Sequence, residues 1–147
     1  GSAFYDKEDY DNALAVYRNA LDLDPKNAKI HCNLGFLYWG KGDTDEAIRE
    51  YEYAIEYDKS YSIAYNNLGV IYLDDLGRVK EAIDMFKKAV EYNPNYALAH
   101  FNLARSIAIT GEKIEAAKLY QIAQDVNKIT NEIDPQDITD KINALFD

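Results

Sequence analysis

The sequence predicts an all-α fold, a solenoid of antiparallel helix pairs. Three observations predict it. Alanine pairs recur down the chain, Ala13/Ala20, Ala47/Ala54, Ala82/Ala89 and Ala116/Ala123, with seven residues inside each pair. The step between pairs is 34 (13 to 47), 35 (47 to 82) and 34 (82 to 116). A fixed period of this length marks stacked copies of one supersecondary unit. An aromatic follows each first alanine by four, at Tyr17, Tyr51, Phe86 and Tyr120. The composition agrees: 48% of the 147 residues are apolar, 13 are tyrosine, and glycine and proline are few, which favours packed helices over disorder.

Each element follows from this register. Gly1-Ser2 reads as an expression remnant. Residues 3–27 read as a truncated first repeat, because the register would start that unit before residue 1. Native sequence upstream is therefore expected, which leaves a leader or anchor open. The unit 28–61 carries Leu34, Leu37 and Tyr38 at helical spacing. Lys41-Gly42-Asp43 then breaks the pattern, and Ala47, Ile48, Tyr51, Ala54 and Ile55 form a second stripe. Gly42 suits the left-handed end of the first helix, and Asp43 or Thr44 the cap of the second. Small residues at Gly35, Ala47 and Ala54 allow close helix approach.

The unit 62–96 repeats this with Tyr65, Leu68, Gly69, Tyr72, Ala82, Phe86 and Ala89. Its turn, Asp74-Asp75-Leu76-Gly77, is one residue longer. The unit 97–130 has His100, Leu103, Ala104, Ile107, Ala116, Tyr120 and Ala123. Asp24-Pro25 and Asn93-Pro94 punctuate the ends of second helices. In 131–147, Asp134-Pro135 can start a helix with Ile138, Ile142 and Leu145 on one stripe and Phe146 beside it. Two readings stand for it: a capping helix over the last repeat, or a tail that docks in a groove.

His31-x2-Leu34-Gly35-x2-Tyr38 with Ala47-x3-Tyr51, and Tyr65-x2-Leu68-Gly69-x2-Tyr72 with Ala82-x3-Phe86 and Pro94, resemble the tetratricopeptide repeat pattern. The resemblance covers roughly residues 3 to 130. The last unit departs most, with Ala104 for glycine and Ile107 for tyrosine. Lys59 and Lys128 stand where two units would close on proline. The resemblance implies a right-handed superhelix whose first helices line a concave groove.

Little in the chain speaks for catalysis. His31 and His100 lie two repeat steps apart in the same slot, so they read as packed core residues and not as a metal pair. Cys32 has no His or Cys partner at metal-ligand spacing, and a single cysteine forms no internal disulfide. No phosphate loop or nucleophile–base motif is present. The expectation is no enzyme activity, no cofactor and no catalytic or metal residue. A formal charge of -10 repels nucleic acid and anionic lipid, and no apolar run reaches the length of a membrane span.

Function is expected at the positions the repeat leaves free. Given the groove that the resemblance implies, the first helices would turn toward it Lys29, Cys32, Asn33, Phe36 and Trp39. The next unit would offer Ile63, Asn66, Asn67, Val70 and Leu73, and the last Leu98, Phe101, Asn102, Arg105 and Ile109. Asn33, Asn67 and Asn102 form a register ladder, similar to one in a glycosyltransferase's repeat domain. Such amides can grip a peptide backbone or bond to a neighbouring helix. The apolar and aromatic remainder suits an interaction site or tight repeat stacking. A clamp for chaperone-tail carboxylates is not expected, since Lys29 and Arg105 are the only obvious cations among these positions.

The leading expectation is a scaffold for protein–protein interaction that holds a protein or peptide ligand in the groove. It binds no nucleic acid and no membrane, and the cytoplasm is the expected compartment. One alternative is the repeat arm of a larger, glycosyltransferase-like enzyme. Another is a homo-oligomer, formed through the under-covered first repeat (Ala13, Val16, Tyr17, Ala20) or the C-terminal helix.

Overall fold

Helix starts and stops follow local chemistry. A computed structural model describes residues 7–147, so the expectations for Gly1-Ser2 and for the start of the truncated repeat, 3–6, lie outside the described residues. Among these, the secondary structure is helical and turn, with no strand. The helices are α1 (Lys7–Leu23), α2 (Ala28–Lys41), α3 (Thr44–Tyr57), α4 (Ser62–Val70), α5 (Val79–Tyr92), α6 (Ala97–Ile109), α7 (Lys113–Thr130) and α8 (Pro135–Ala144). The chain divides into two compact units, one up to Asn67 and one from Leu68.

In the first unit, the Asn27 side chain accepts the Ile30 amide at 3.1 Å and starts α2. Gly42 ends α2 in the left-handed region at φ 94°, as its position suggests. Its amide and that of Asp43 close on the carbonyls of Trp39 and Tyr38 at 3.0 and 2.9 Å. Asp43 occupies the cap of α3, but its side chain makes no capping bond. The α2–α3 pair is set by a ring over a glycine: a Cβ on Gly35 would stand 2.8 Å from the Tyr51 ring. Ala47, Tyr51 and Ala54 are fully buried. On the other flank of α2, the Tyr10 ring of α1 covers the backbone of Gly40 in the same way.

In the second unit, the extra residue of the 35-step has a structural form. The helix that begins as α4 widens into a π-helical turn over Ile71–Asp75. The Leu76 amide donates to Ile71 at 3.1 Å and the Arg78 amide to Tyr72 at 2.7 Å. Gly77 reverses the chain at φ 66°. One inserted residue is accommodated by widening one turn, and the stripes on either side keep their register. A Cβ on Gly69 would lie 2.5 Å from the Phe86 ring. The core joins Leu73, Ala82, Phe86, Leu103, Ala104, Ile107, Ala116, Tyr120 and Ile138.

The repeat position shared by His31, Tyr65 and His100 has one role. His31 Nε2 donates to the Pro25 carbonyl at 2.8 Å, Tyr65 Oη to Lys59 at 3.0 Å, and His100 Nε2 to Pro94 at 2.8 Å. Each ring reaches back six residues and satisfies a carbonyl of the connecting loop.

The end of the last repeat differs from those of the two before it. Asp58 and Asn93 stop α3 and α5 and accept amides two residues on, from Ser60 at 3.0 Å and Asn95 at 3.2 Å. In the same register Asn127 stays helical and buried, and α7 runs on to Thr130. Its side chain instead clasps Ile133, accepting its amide at 2.9 Å and donating to its carbonyl at 2.7 Å. That clasp turns the chain into α8, where Asp134 caps Gln136 at 2.9 Å ahead of Pro135. Ile138 then fills the core beside Ala116 and Tyr120, with Ile142 and Leu145 packed against the same cluster.

Candidate functional site

The face presented by α2 is narrower than the expected one. This helix packs against α1 on one side and α3 on the other, which leaves a limited outward arc. Lys29 is exposed, Phe36 is 55% exposed, and Asn33 and Trp39 are half-buried. Cys32 is buried, which corrects its expected place on the binding face. Burial disfavours the thiolate and pushes its pKa up to about 12. The nearby Tyr61 hydroxyl is also raised, first by burial and then by Cys32 and Asp58.

At the start of α4, Ile63 is 44% exposed. Asn66 is 1% exposed, a second correction. Asn67 is half-buried and donates to the Tyr51 hydroxyl at 3.4 Å. That hydroxyl belongs to the ring stacked over Gly35, so Asn67 tethers a packing residue.

In the second unit, Leu73 belongs to the core and is withdrawn from the outward set. Val70 is half-buried against the same core. Asn102 is buried as well, and it accepts from Arg105 at 3.4 Å. Arg105 is committed elsewhere: its two terminal nitrogens grip both carboxylate oxygens of Asp74 at 2.9 and 3.2 Å. The π-helical turn carries that Asp74, so the inserted residue and the arginine are linked. Phe101 sits edge-on to Tyr120, ring centres 5.5 Å apart at 63°. Burial raises the Tyr120 hydroxyl pKa, and the Arg105 charge opposes part of that rise. Leu98 is half-buried and its amide donates to the Glu132 carboxylate at 2.9 Å. Ile109 is 58% exposed.

The asparagine ladder therefore divides. Asn67 and Asn102 bond to neighbouring protein groups, and Asn102 is closed to solvent. What remains outward is Lys29, Asn33, Phe36 and Trp39 with Ile63 and Asn67 in the first unit. In the second it is Val70, Leu98, Phe101, Arg105 and Ile109.

An aromatic cluster on the first unit is a feature that the repeat register does not mark. His31 lies 5.3 Å, ring centre to ring centre, from both Tyr53 and Tyr57. Its Nδ1 meets Glu50 at 2.7 Å. The i, i+4 spacing of the two tyrosines was the available signal; nothing in the sequence paired Glu50 with His31. Among the described residues no group of three or more His, Cys, Asp and Glu could hold a metal ion. No described helix is long and apolar enough to cross a membrane.

Comparison with known proteins matches this geometry. A family model described as TPR repeat matches residues 1–42, and one described as tetratricopeptide repeat matches residues 32–90 and 72–138. The crystal structure of MamA protein superposes with a TM-score of 0.70 at 23% identity, over 86% of this chain and 69% of that one. At that identity the likeness speaks to fold alone. No curated protein sequence matches the chain. Repeats of this kind generally mediate protein–protein interaction. The chain is an all-α solenoid protein and belongs to the tetratricopeptide repeat family.

Proposed function

We propose that this protein is an interaction module that binds a peptide segment of a partner protein on the outward faces of its first helices. The observation that carries the reading is the exposure of Phe36, Ile63 and Ile109 on those helices. Large apolar side chains left in water on a common helix type supply anchors for a partner. Trp39 on α2 and Phe101 on α6, each half-buried, add rigid rings to their own helices. Lys29 and Asn33 add polar contacts at the rim. Asn67 contributes only if its bond to Tyr51 is exchanged for one to the ligand. On this reading residues 28–61, 62–96 and 97–130 are the repeats, and α8 solvates the last of them. The acidic balance of the chain favours ligands with basic flanks.

A selection of random peptides displayed on phage tests this. The unaltered chain is expected to enrich a family of apolar-anchored sequences, with affinities of roughly micromolar order. Phe36→Asp and Ile109→Asp change exposed side chains and are expected to keep the fold. At least one of them should weaken the enriched peptides more than about tenfold, or about 1.4 kcal/mol. Peptides that bind both variants as well as the unaltered chain would refute the reading.

A further inference from the structure

The α7 helix differs from α3 and α5 on the side turned away from the core. Its core side holds Ala116, Tyr120, Ala123 and Asn127. On the opposite side Ile114, Ile122 and Ile129 are 71%, 42% and 80% exposed. With Lys118 and Asp125 between them they fall within about 80° of arc, at about 100° per residue, so they share one face. The same register positions are Asp45, Tyr53 and Ser60 in the unit 28–61, and Lys80, Lys88 and Asn95 in the unit 62–96. All six are exposed, although each of those units is followed by another repeat. Exposure therefore belongs to the positions themselves. What changes in α7 is the chemistry, isoleucine three times over.

Helix length makes the three isoleucines one stripe. Asp58 and Asn93 end α3 and α5 before the third position is reached. The Asn127 clasp lets α7 run on to Thr130 and keeps Ile129 helical. Ile114 and Ile129 then stand roughly 22 Å apart along one rigid helix, at ~1.5 Å per residue. An apolar stripe of this kind marks an interaction surface.

The order of its side chains selects the occupant. Ile114 stands seven residues before Gln121, and Ile129 seven after Ile122. Lys118 stands three before Gln121, and Asp125 three after Ile122. Reversed about the point between Gln121 and Ile122, the face is its own complement. A second α7 laid antiparallel across it, related by a two-fold axis, sets Ile114 opposite Ile129, Lys118 opposite Asp125, and Ile122 beside its own counterpart. Every contact except the central one occurs twice. Parallel packing would set lysine on lysine and aspartate on aspartate, which charge disfavours.

Local groups suit this arrangement. Asp125 accepts from Gln121 at 3.2 Å and meets Lys128 at 3.7 Å, both through Oδ1, and such exposed pairs hold weakly. Its other oxygen can take the lysine of a second copy. Phe146 is 62% exposed and lines a cleft with Ile114 at the head of α7; the antiparallel copy brings Ile129 to that cleft. Within α7, Lys113, Lys118 and Lys128 stand against Glu115 and Asp125. In a chain of charge -10, this helix does not repel its own copy.

We propose that the Ile114–Ile122–Ile129 face of α7 is a dimerisation surface whose partner is a second copy of this chain, packed antiparallel through the same face. The face uses none of the first-helix side chains, so the proposal stands whether or not those bind peptide.

Sedimentation equilibrium of the full 147-residue chain tests it. One helix face per copy is a small interface, so a monomer–dimer equilibrium with a dissociation constant of roughly 10–100 μM is expected. Ile122→Asp sets two carboxylates together at the two-fold axis and is expected to weaken the dimer more than about tenfold. Lys118→Asp and Asp125→Lys chains are each expected to dimerise at least about tenfold more weakly alone, and to pair with one another when mixed. The chain carrying both changes restores the opposite charges and is expected to dimerise like the unaltered one. All three positions are exposed, so each variant is expected to keep its helical circular dichroism. An unaltered chain that stays monomeric at about 1 mM overturns the proposal. So does a dimer indifferent to Ile122→Asp, and so do single charge variants that dimerise like the unaltered chain or fail to pair when mixed.

Discussion

His31 Nε2 and the Pro25 carbonyl oxygen are joined by a hydrogen bond of 2.8 Å, and His100 and Pro94 repeat it at the same length. Tyr65 and Lys59 make the third copy through a hydroxyl. The slot that holds tryptophan in the family pattern holds in these three places a ring with a donor at its far edge. His31 does more, since its other nitrogen meets Glu50. Replacing His31 by Phe strands two acceptors, and is expected to cost about 2–3 kcal/mol. Tyr65→Phe strands one, and is expected to cost about 1 kcal/mol. Urea unfolding of both variants checks the order.

Glycine at the helix crossing is required by the ring above it. Gly69→Ala would place a methyl 2.5 Å from Phe86, and is expected to destabilise by about 1–3 kcal/mol. Phe86→Leu costs stability alone but removes the clash. The double variant is therefore expected to lose less than the sum of the singles, and a double-mutant cycle measures the difference.

Cys32 makes stability fall in alkali. Its thiol pKa is raised from 9.0 to about 12 in the folded chain, so the unfolded chain releases the proton first. The stability this group contributes is full below pH 9 and declines as pH rises from there toward about 12. Urea midpoints at successive alkaline pH values are expected to fall less steeply for Cys32→Ala than for the unaltered chain. The native thiol is also expected to resist thiol reagents at pH 8 until the chain is unfolded.

The C-terminal helix holds by one residue above all. Ile138 is fully buried against Ala116 and Tyr120, and Ile138→Ala is expected to cost about 2–5 kcal/mol. Phe146→Ala, at an exposed position, is expected to stay within about 0.5 kcal/mol. Thermal unfolding distinguishes the two.

The fold was legible because packing in a repeat is periodic and side-chain size is the signal. Ala47, Tyr51 and Gly35 declare their contact by size alone, and the alanine register carried it through every unit. The π-helical turn was visible only as an extra residue between Ala47 and Ala82, because backbone hydrogen bonding leaves no mark on residue identity. The site was less legible. Helical spacing says which way Cys32, Asn66, Leu73 and Asn102 point, but not how far a neighbouring helix spreads over them. The Arg105–Asp74 pair was hidden for a related reason: a salt bridge across 31 positions has no spacing rule, and it depends on the widened turn that carries Asp74.

Amide chemical-shift mapping with a phage-selected peptide bound to the 15N-labelled chain tests the proposed function most directly. The largest shifts are expected on α2, α4 and α6, centred on Phe36, Ile63, Phe101 or Ile109. Shifts confined to α3, α5 and α7 would contradict it.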